Sequence, residues 1–198
     1  MEFVLRVTGT DLFVHAGNEY QVPGAELHVV HDFVVFAAWC LYHWRCDGDD
    51  TLAEFWLRSE ARHANPDMVG YARLVAAAPF SLFEVLEADA PHGILIRDLA
   101  TDGEMFVAEP QFAAAKPIGH VLFGKVVSTP STGDARAIAM FDPGHRVAHR
   151  PHRLPELEAM ARRAYDPEVI EEHGSAARFI IRTHYAFIRR ATARRDLH

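Results

Sequence analysis

Three side chains near residue 30 have the types and spacing of a metal site. His28, His31 and Asp32 stand at positions i, i+3 and i+4, which share one face of an α-helix. Two imidazoles and a carboxylate on one face can bind zinc or another divalent cation. In the competing interpretation Asp32 caps the helix and the histidines are solvated, because zinc sites usually need a third or fourth strong ligand. We therefore predict no resident cofactor and keep a metal-dependent enzyme as an alternative.

A second cluster mixes histidine and arginine within residues 143–155. In the run HRVAHRPHR, three histidines alternate with Arg146, Arg150 and Arg153. Guanidinium groups pair well with phosphate, so an anion-binding loop is one interpretation. The histidines allow a metal-binding loop as another. The prolines of this segment favour a solvated linker, which is the interpretation we adopt.

The last helical stretch separates arginines from apolar residues. At about 100° per residue, Arg178, Arg182 and Arg189 fall in one stripe, with Tyr185 at its border. The opposite side is apolar apart from one histidine and comprises Ala177, Ile180, Ile181, His184, Phe187 and Ile188. This pattern predicts an amphipathic helix that docks through its apolar side and exposes its arginines. A surface for nucleic acid or an acidic partner is the alternative.

No sequence motif of a common enzyme class is present. The chain lacks GxSxG, Walker, GxGxxG, HExxH and zinc-deaminase signatures. Cys40 and Cys46 have neither CxxC nor zinc-knuckle spacing and fit a reducing compartment. We predict no catalytic residue, and whether the chain is an enzyme stays open.

The spacing of apolar residues, together with cap and turn residues, predicts the helices and strands that carry these side chains. Three helices are expected at about 28–45, from the capping box TLAE at Thr51, and from Asn65-Pro66 to Ala78. Their aromatic residues (Phe33, Phe36, Trp39, Trp44, Phe55 and Trp56) are predicted to be core. Five short apolar runs within 80–142, separated by Gly and Pro turns, predict strands of a small barrel. We also assign the phenylalanines of these strands to the core: Phe80, Phe83, Phe106 and Phe123.

The predicted fold class is α+β. A helical layer accompanies a small, bent antiparallel sheet or SH3-like barrel, with an amphipathic helix at the C-terminus. We expect one compact unit of five consecutive segments: a strand and hairpin at 1–24, helices at 25–79, the barrel at 80–142, a linker at 143–155 and a helical tail at 156–198.

Charge and hydropathy narrow the functional classes. The formal net charge of −7 gives no overall attraction to nucleic acid, although residues 145–198 carry an excess of arginine. The most apolar stretch, Phe33–Tyr42, is too short to span a bilayer, and no signal peptide is recognisable. We therefore expect a cytoplasmic protein that does not bind membranes.

About half of the chain resembles a group of uncharacterised bacterial proteins in which a helical segment precedes a small barrel. The residues that carry the resemblance are Asp32, Phe33, Trp39 and Tyr42, then TLAEFWL, SLFEVLEA, GILIRDL, EMFVAEP and GHVLFGKVV, all within residues 32–127. Some members of the group end in an SEC-C-type zinc motif, which is absent here. The resemblance implies an architecture rather than an activity.

Three functional hypotheses follow. The first is a non-catalytic binding or adaptor module with a protein partner. The second is a nucleic-acid-binding protein that uses the barrel and the C-terminal arginines, and the third is the metal-dependent enzyme. A free strand edge in the N-terminal hairpin adds the alternative of a homodimer.

Overall fold

The computed structural model describes residues 16, 31–45, 50–129, 139–141 and 147–193. Most of its helices lie before or after the strands in the chain, and one short helix lies among them. The helices are α1 (His31–Tyr42), α2 (Leu52–Ser59), α3 (Pro66–Ala77), α4 (Pro110–Ala114), α5 (Leu154–Arg163), α6 (Pro167–His173) and α7 (Ala176–Ala193). Short 3-10 turns lie at Ala61–His63 and Pro151–Arg153. The strands are β1 (Phe80–Asp89), β2 (Gly93–Asp98), β3 (Glu104–Val107), β4 (Val121–Ser128), β5 (Ala139–Phe141) and β6 (Val147–His149).

The chain divides into two compact units. One comprises Met1–Ala76 with Ile181–His198, and the other comprises Ala77–Ile180. Of the N-terminal segment predicted as strand and hairpin, only Ala16 is described, and it is helical and buried rather than extended. The rest of that prediction lies outside the described residues.

Aromatic side chains form the core of the first unit. The Trp39 ring lies 6.2 Å from Phe36 and 6.3 Å from Trp44, measured between centroids, and all three side chains are buried. The prediction of an aromatic core is confirmed for these residues. It is wrong for Phe55, which is exposed on α2, where the Arg58 guanidinium lies 5.9 Å from its ring.

The start of α2 has the capping box that the sequence TLAE predicts. The Thr51 hydroxyl accepts a hydrogen bond from the Glu54 amide at 3.2 Å, and the Glu54 carboxylate accepts one from the Thr51 amide at 2.7 Å. Two amides that the helix leaves without partners are thereby satisfied. Because Thr51 is also buried, this cap fixes where the chain enters the helix.

Five strands close into a small barrel in the second unit. Neighbouring strands follow the order β1-β2-β3-β5-β4, and β4 returns to pair with β1. The α+β class and the small barrel are therefore confirmed. The sheet is mixed rather than wholly antiparallel, because β3 and β5 pair in parallel at Val107 and Ala139.

Apolar side chains from all five strands fill the barrel. The core comprises Phe83, Val85, Ile94, Ile96, Val107, Leu122, Ala139 and Phe141, together with Ala113 of α4. The Phe83 and Phe141 rings meet edge to face at 5.7 Å. Outside the barrel, Phe80 stacks on Phe123 at 5.4 Å, and both rings are fully buried. Helix α5 packs against β1.

The segment predicted as a linker, 143–155, is ordered structure in its described part. Residues Val147–His149 form β6, which pairs with Val121–Phe123 of β4, and Pro151–Arg153 form a 3-10 turn before α5 begins. Pro151 and Pro155 are compatible with this structure, since each one lies in the first turn of a helix. In the helical tail, α6 begins at Pro167 after Asp166 and is followed by Gly174 in a left-handed conformation.

Among the described helices, none combines the length and apolarity needed to cross a bilayer.

We predict that Thr51→Ala lowers the free energy of unfolding by about 1 kcal/mol, because the amide of Glu54 loses its acceptor. Thr51→Ser, which keeps the oxygen, should retain most of the stability. Ser59→Ala is the matched control, since the Ser59 hydroxyl bonds only to the Phe55 carbonyl on an exposed surface. Urea unfolding followed by circular dichroism measures all three. Equal losses for Thr51→Ala and Ser59→Ala would contradict a stabilising cap.

Candidate functional site

One side of the barrel exposes an aromatic residue between acidic ones. Residues that pair directly on neighbouring strands point to the same side of a sheet. Glu84, Arg97 and Glu104 form one such row across β1, β2 and β3, and Glu87, Leu95 and Phe106 form the next. We call these six residues the outer β1–β3 face.

A bulge in β1 places the second row on the outside. Val85 opposes Ile96 and Glu87 opposes Leu95, so Leu86 is an extra residue in β1. Such a bulge reverses the alternation of side chains beyond it. Glu87 therefore points outward, while Ala88 packs against the barrel core.

The Phe106 ring is held against the backbone of β2. A Cβ built on Gly93 would lie 3.0 Å from the end of this ring and 2.1 Å from the Val107 carbonyl oxygen. Glycine is thus required here, and its missing side chain makes room for the ring, as aromatic residues do over glycines in sheets. Phe106 is 48% exposed, and its neighbour Leu95 is half-buried. One side of the ring is therefore fixed while another is open to solvent.

The charges of the face are unequally satisfied. The Arg97 guanidinium donates to Glu84 at 2.6 Å and lies 3.6 Å from Asp102. The hydrogen bond with Glu84 is the main cause that raises the pKa of Arg97. Glu87 and Glu104 are exposed, and no hydrogen bond or ion pair joins either carboxylate to another described residue. Two free carboxylates therefore flank the apolar pair.

Polar contacts fix the turn between β2 and β3. Arg162 of α5 donates to both carboxylate oxygens of Asp102, at 3.0 and 3.1 Å. At the base of the turn, the buried Asp98 carboxylate accepts from the Ser81 hydroxyl at 2.9 Å and from the Ala100 amide at 2.8 Å. Burial and then the charge of Asp98 raise the pKa of Tyr165. The exposed ion pairs contribute little energy, but they hold the turn that leads into Glu104 and Phe106.

The predicted metal ligands cannot be assembled from the structure. His31 and Asp32 belong to the first turn of α1, but their side chains and the whole of His28 lie outside the described residues. Within the described part of the chain, no three His, Cys, Asp or Glu residues are grouped so that they could hold a metal ion. The metal site stays a prediction.

The arginines predicted as a contact surface lie on different elements. Arg178 and Arg182 of α7 are half-buried, so the expected exposure of this stripe is wrong for them. The same holds along the helix, because no described side chain of α7, at 176–184 and 186, is exposed. Ile180, Ile181 and His184 are buried as predicted. The side chains of Tyr185 and Arg189 lie outside the described residues.

The remaining predicted arginines are neighbours of β6 in the sequence, Arg146 before it and Arg150 and Arg153 after it. Arg150 is exposed. Arg153 is half-buried, and its guanidinium donates to Glu156 at 3.2 Å. Arg146 lies outside the described residues. The neighbouring Glu156 carboxylate offsets part of the attraction of Arg153 for a phosphate.

His149 is part of strand β6 and does not belong to a metal-binding loop in the structure. Burial, followed by the charge of Arg153, lowers the pKa of His149 to about 4. The imidazole is therefore neutral at neutral pH, and its backbone pairs with Val121 of β4. The sequence run HRVAHRPHR does not predict this strand pairing, because β6 is only three residues long.

Sequence reasoning missed the exposure of Phe106. Phe80, Phe83 and Phe123 are buried, which confirms their assignment to the core, but the assignment is wrong for Phe106. The run EMFV alternates, and the charge of Glu104 was the available indication that Phe106, two residues further on, points to the same outer side.

No protein-family model, no curated protein and no solved structure matches this chain. The resemblance to uncharacterised helix-and-barrel proteins therefore stays a prediction.

We predict opposite effects from alanine at two glycines. Gly93→Ala should destabilise the protein by about 3 kcal/mol, because the new methyl group meets the Val107 carbonyl and the Phe106 ring. Gly70→Ala is the matched control. Nothing lies within 4 Å of a Cβ at this exposed position of α3, so it should stabilise by about 0.5–1 kcal/mol. Thermal unfolding measures both, and an unchanged midpoint for Gly93→Ala would refute the close contact.

We predict that His149 makes stability depend on pH. Because its folded pKa of about 4 lies below the unfolded value of 6.5, the unfolded chain binds the extra proton between these values. Stability from this residue is present above pH 6.5 and is lost as the pH falls towards 4. Between pH 7 and pH 5 the loss is about 2 kcal/mol.

His149→Gln should remove this part of the pH dependence, whereas His152→Gln, at an exposed position in the neighbouring 3-10 turn, should keep it. Urea unfolding at several pH values compares the variants with the unchanged chain. Parallel pH profiles for His149→Gln and the unchanged chain would be incompatible with a half-buried, neutral imidazole.

Proposed function

We propose that this chain is a binding or adaptor protein that docks a protein partner on the outer β1–β3 face. The observation that carries the proposal is the half-exposed Phe106 ring, seated over Gly93 beside Leu95. Aromatic residues are enriched at the centres of protein interfaces and often supply much of the binding energy.

The geometry of the face favours binding in two further ways. The aromatic side chain lies on paired strands, so docking orders little that is not already ordered, and the entropic cost of association is small. Polar and charged residues surround the apolar pair, which is the arrangement of a protein interface with an apolar centre and a polar rim.

The proposal is tested by a capture experiment from a lysate of the source cells, carried out with and without nuclease. The unchanged chain, Phe106→Ser and Met68→Ser are immobilised, and bound proteins are quantified by mass spectrometry. Met68 is the matched control because it is 52% exposed on α3, in the other unit. We expect one stoichiometric protein that both the unchanged chain and Met68→Ser capture, and that Phe106→Ser captures at least tenfold less.

The captured protein is then purified and titrated against the same three chains. Equal binding to Phe106→Ser would overturn the assignment of the face, as would a partner that is lost on nuclease treatment. Phe106→Leu, which keeps an apolar side chain over Gly93, should bind with intermediate affinity and separates loss of contact from loss of folding.

A further inference from the structure

The free carboxylates of the outer β1–β3 face have definite positions around the apolar pair. Glu87 is directly opposite Leu95 on β1, and Glu104 precedes Phe106 by two residues on β3. From the spacing of strands and of residues along a strand, the two α-carbons lie about 12 Å apart. Leu95 adjoins Glu87 and Phe106 adjoins Glu104, so the apolar pair borders one side of the path between the two carboxylates, and Arg97 borders the other.

The cation within the face does not neutralise these two groups. Arg97 is engaged by Glu84 and by Asp102, so its charge is already balanced. A partner that covers Phe106 would remove water from Glu87 and Glu104 as well. Charged groups that lose water without gaining a partner of opposite charge oppose binding.

We infer that the segment that docks here is basic, with lysine or arginine side chains on both sides of at least one large apolar side chain. This inference rests on the proposed function and adds the chemistry of the partner. In an extended segment, cations three or four residues apart span the distance between Glu87 and Glu104. A guanidinium group that reaches either carboxylate can also lie over the Phe106 ring.

Charge also decides between a protein and a nucleic acid at this face. A nucleic acid would bring phosphates towards Glu84, Glu87 and Glu104, and such contacts require cations on the protein. The only cation of the face, Arg97, is paired with Glu84. The whole chain carries a formal net charge of −7. A basic protein segment therefore fits the face and a polyanion does not.

A phage-displayed library of random 12-residue peptides tests the inference while the natural partner is still unidentified. Peptides are selected on the full-length chain and depleted on the Phe106→Ser variant, so that only binders that need the aromatic ring remain. We expect the enriched sequences to carry a net positive charge and at least one large apolar residue. Enriched peptides that are neutral or acidic would overturn the inference and leave the docking face in place.

Charge removal on the protein gives the second measurement. The tightest enriched peptide is titrated by fluorescence anisotropy against the unchanged chain and against the double variant Glu87→Gln/Glu104→Gln. We expect about fivefold weaker binding to the double variant at low salt, with a smaller difference at high salt. Unchanged affinity would overturn the inference.

The matched control is Glu168→Gln/Glu171→Gln, which removes two exposed carboxylates of α6. It should bind the peptide as the unchanged chain does, and an equal loss would show that only the overall charge matters, which would also overturn the inference. No enrichment that depends on Phe106 would overturn the docking face itself, so failure of the inference and failure of the proposed function give different results.

Discussion

The extra residue in β1 between Val85 and Glu87 decides which side chains enter the barrel and which face outward. With regular pairing, Glu87 would point into the core beside Ile94, where an ionised carboxylate is very costly. The bulge turns Glu87 outward and lets Ala88 take the interior position. The loop before β4 satisfies the backbone of Val85, because its amide donates to the His120 carbonyl and its carbonyl accepts from the Gly119 amide. The bulge thus determines the composition of the outer face while both backbone polar groups of Val85 keep hydrogen-bond partners.

The exposure of Phe106 follows from a backbone constraint and not from a lack of neighbours. Strands β2 and β3 approach so closely at Gly93 that no side chain fits between its α-carbon and the Val107 carbonyl. The Phe106 ring lies against Gly93 on the outer side of the sheet, so part of it stays in solvent. The same contact with Gly93 restricts the positions that the ring can take.

Sequence reasoning succeeded where the determinants are local. Thr51 and Glu54 form the predicted capping box, and the five predicted strands occur where alternation and turn residues place them. Sequence reasoning failed where the structure depends on pairing between segments that are distant in the sequence. The parallel contact of Val107 with Ala139 and the three-residue strand β6 have no local pattern. The outer β1–β3 face was missed for the same reason, because it exists only through the register of three strands.

The acidic residues beside Phe106 also bear on self-association. An exposed aromatic side chain on a sheet is a natural contact for a second copy of the same chain. In a two-fold contact through this face, Glu87 and Glu104 of each copy would approach the same residues of the other. Like charges brought together in this way oppose the contact, whereas they favour a partner that carries cations. The carboxylates that would select a basic segment would therefore also oppose the pairing of this ring with its counterpart in a second copy of the chain.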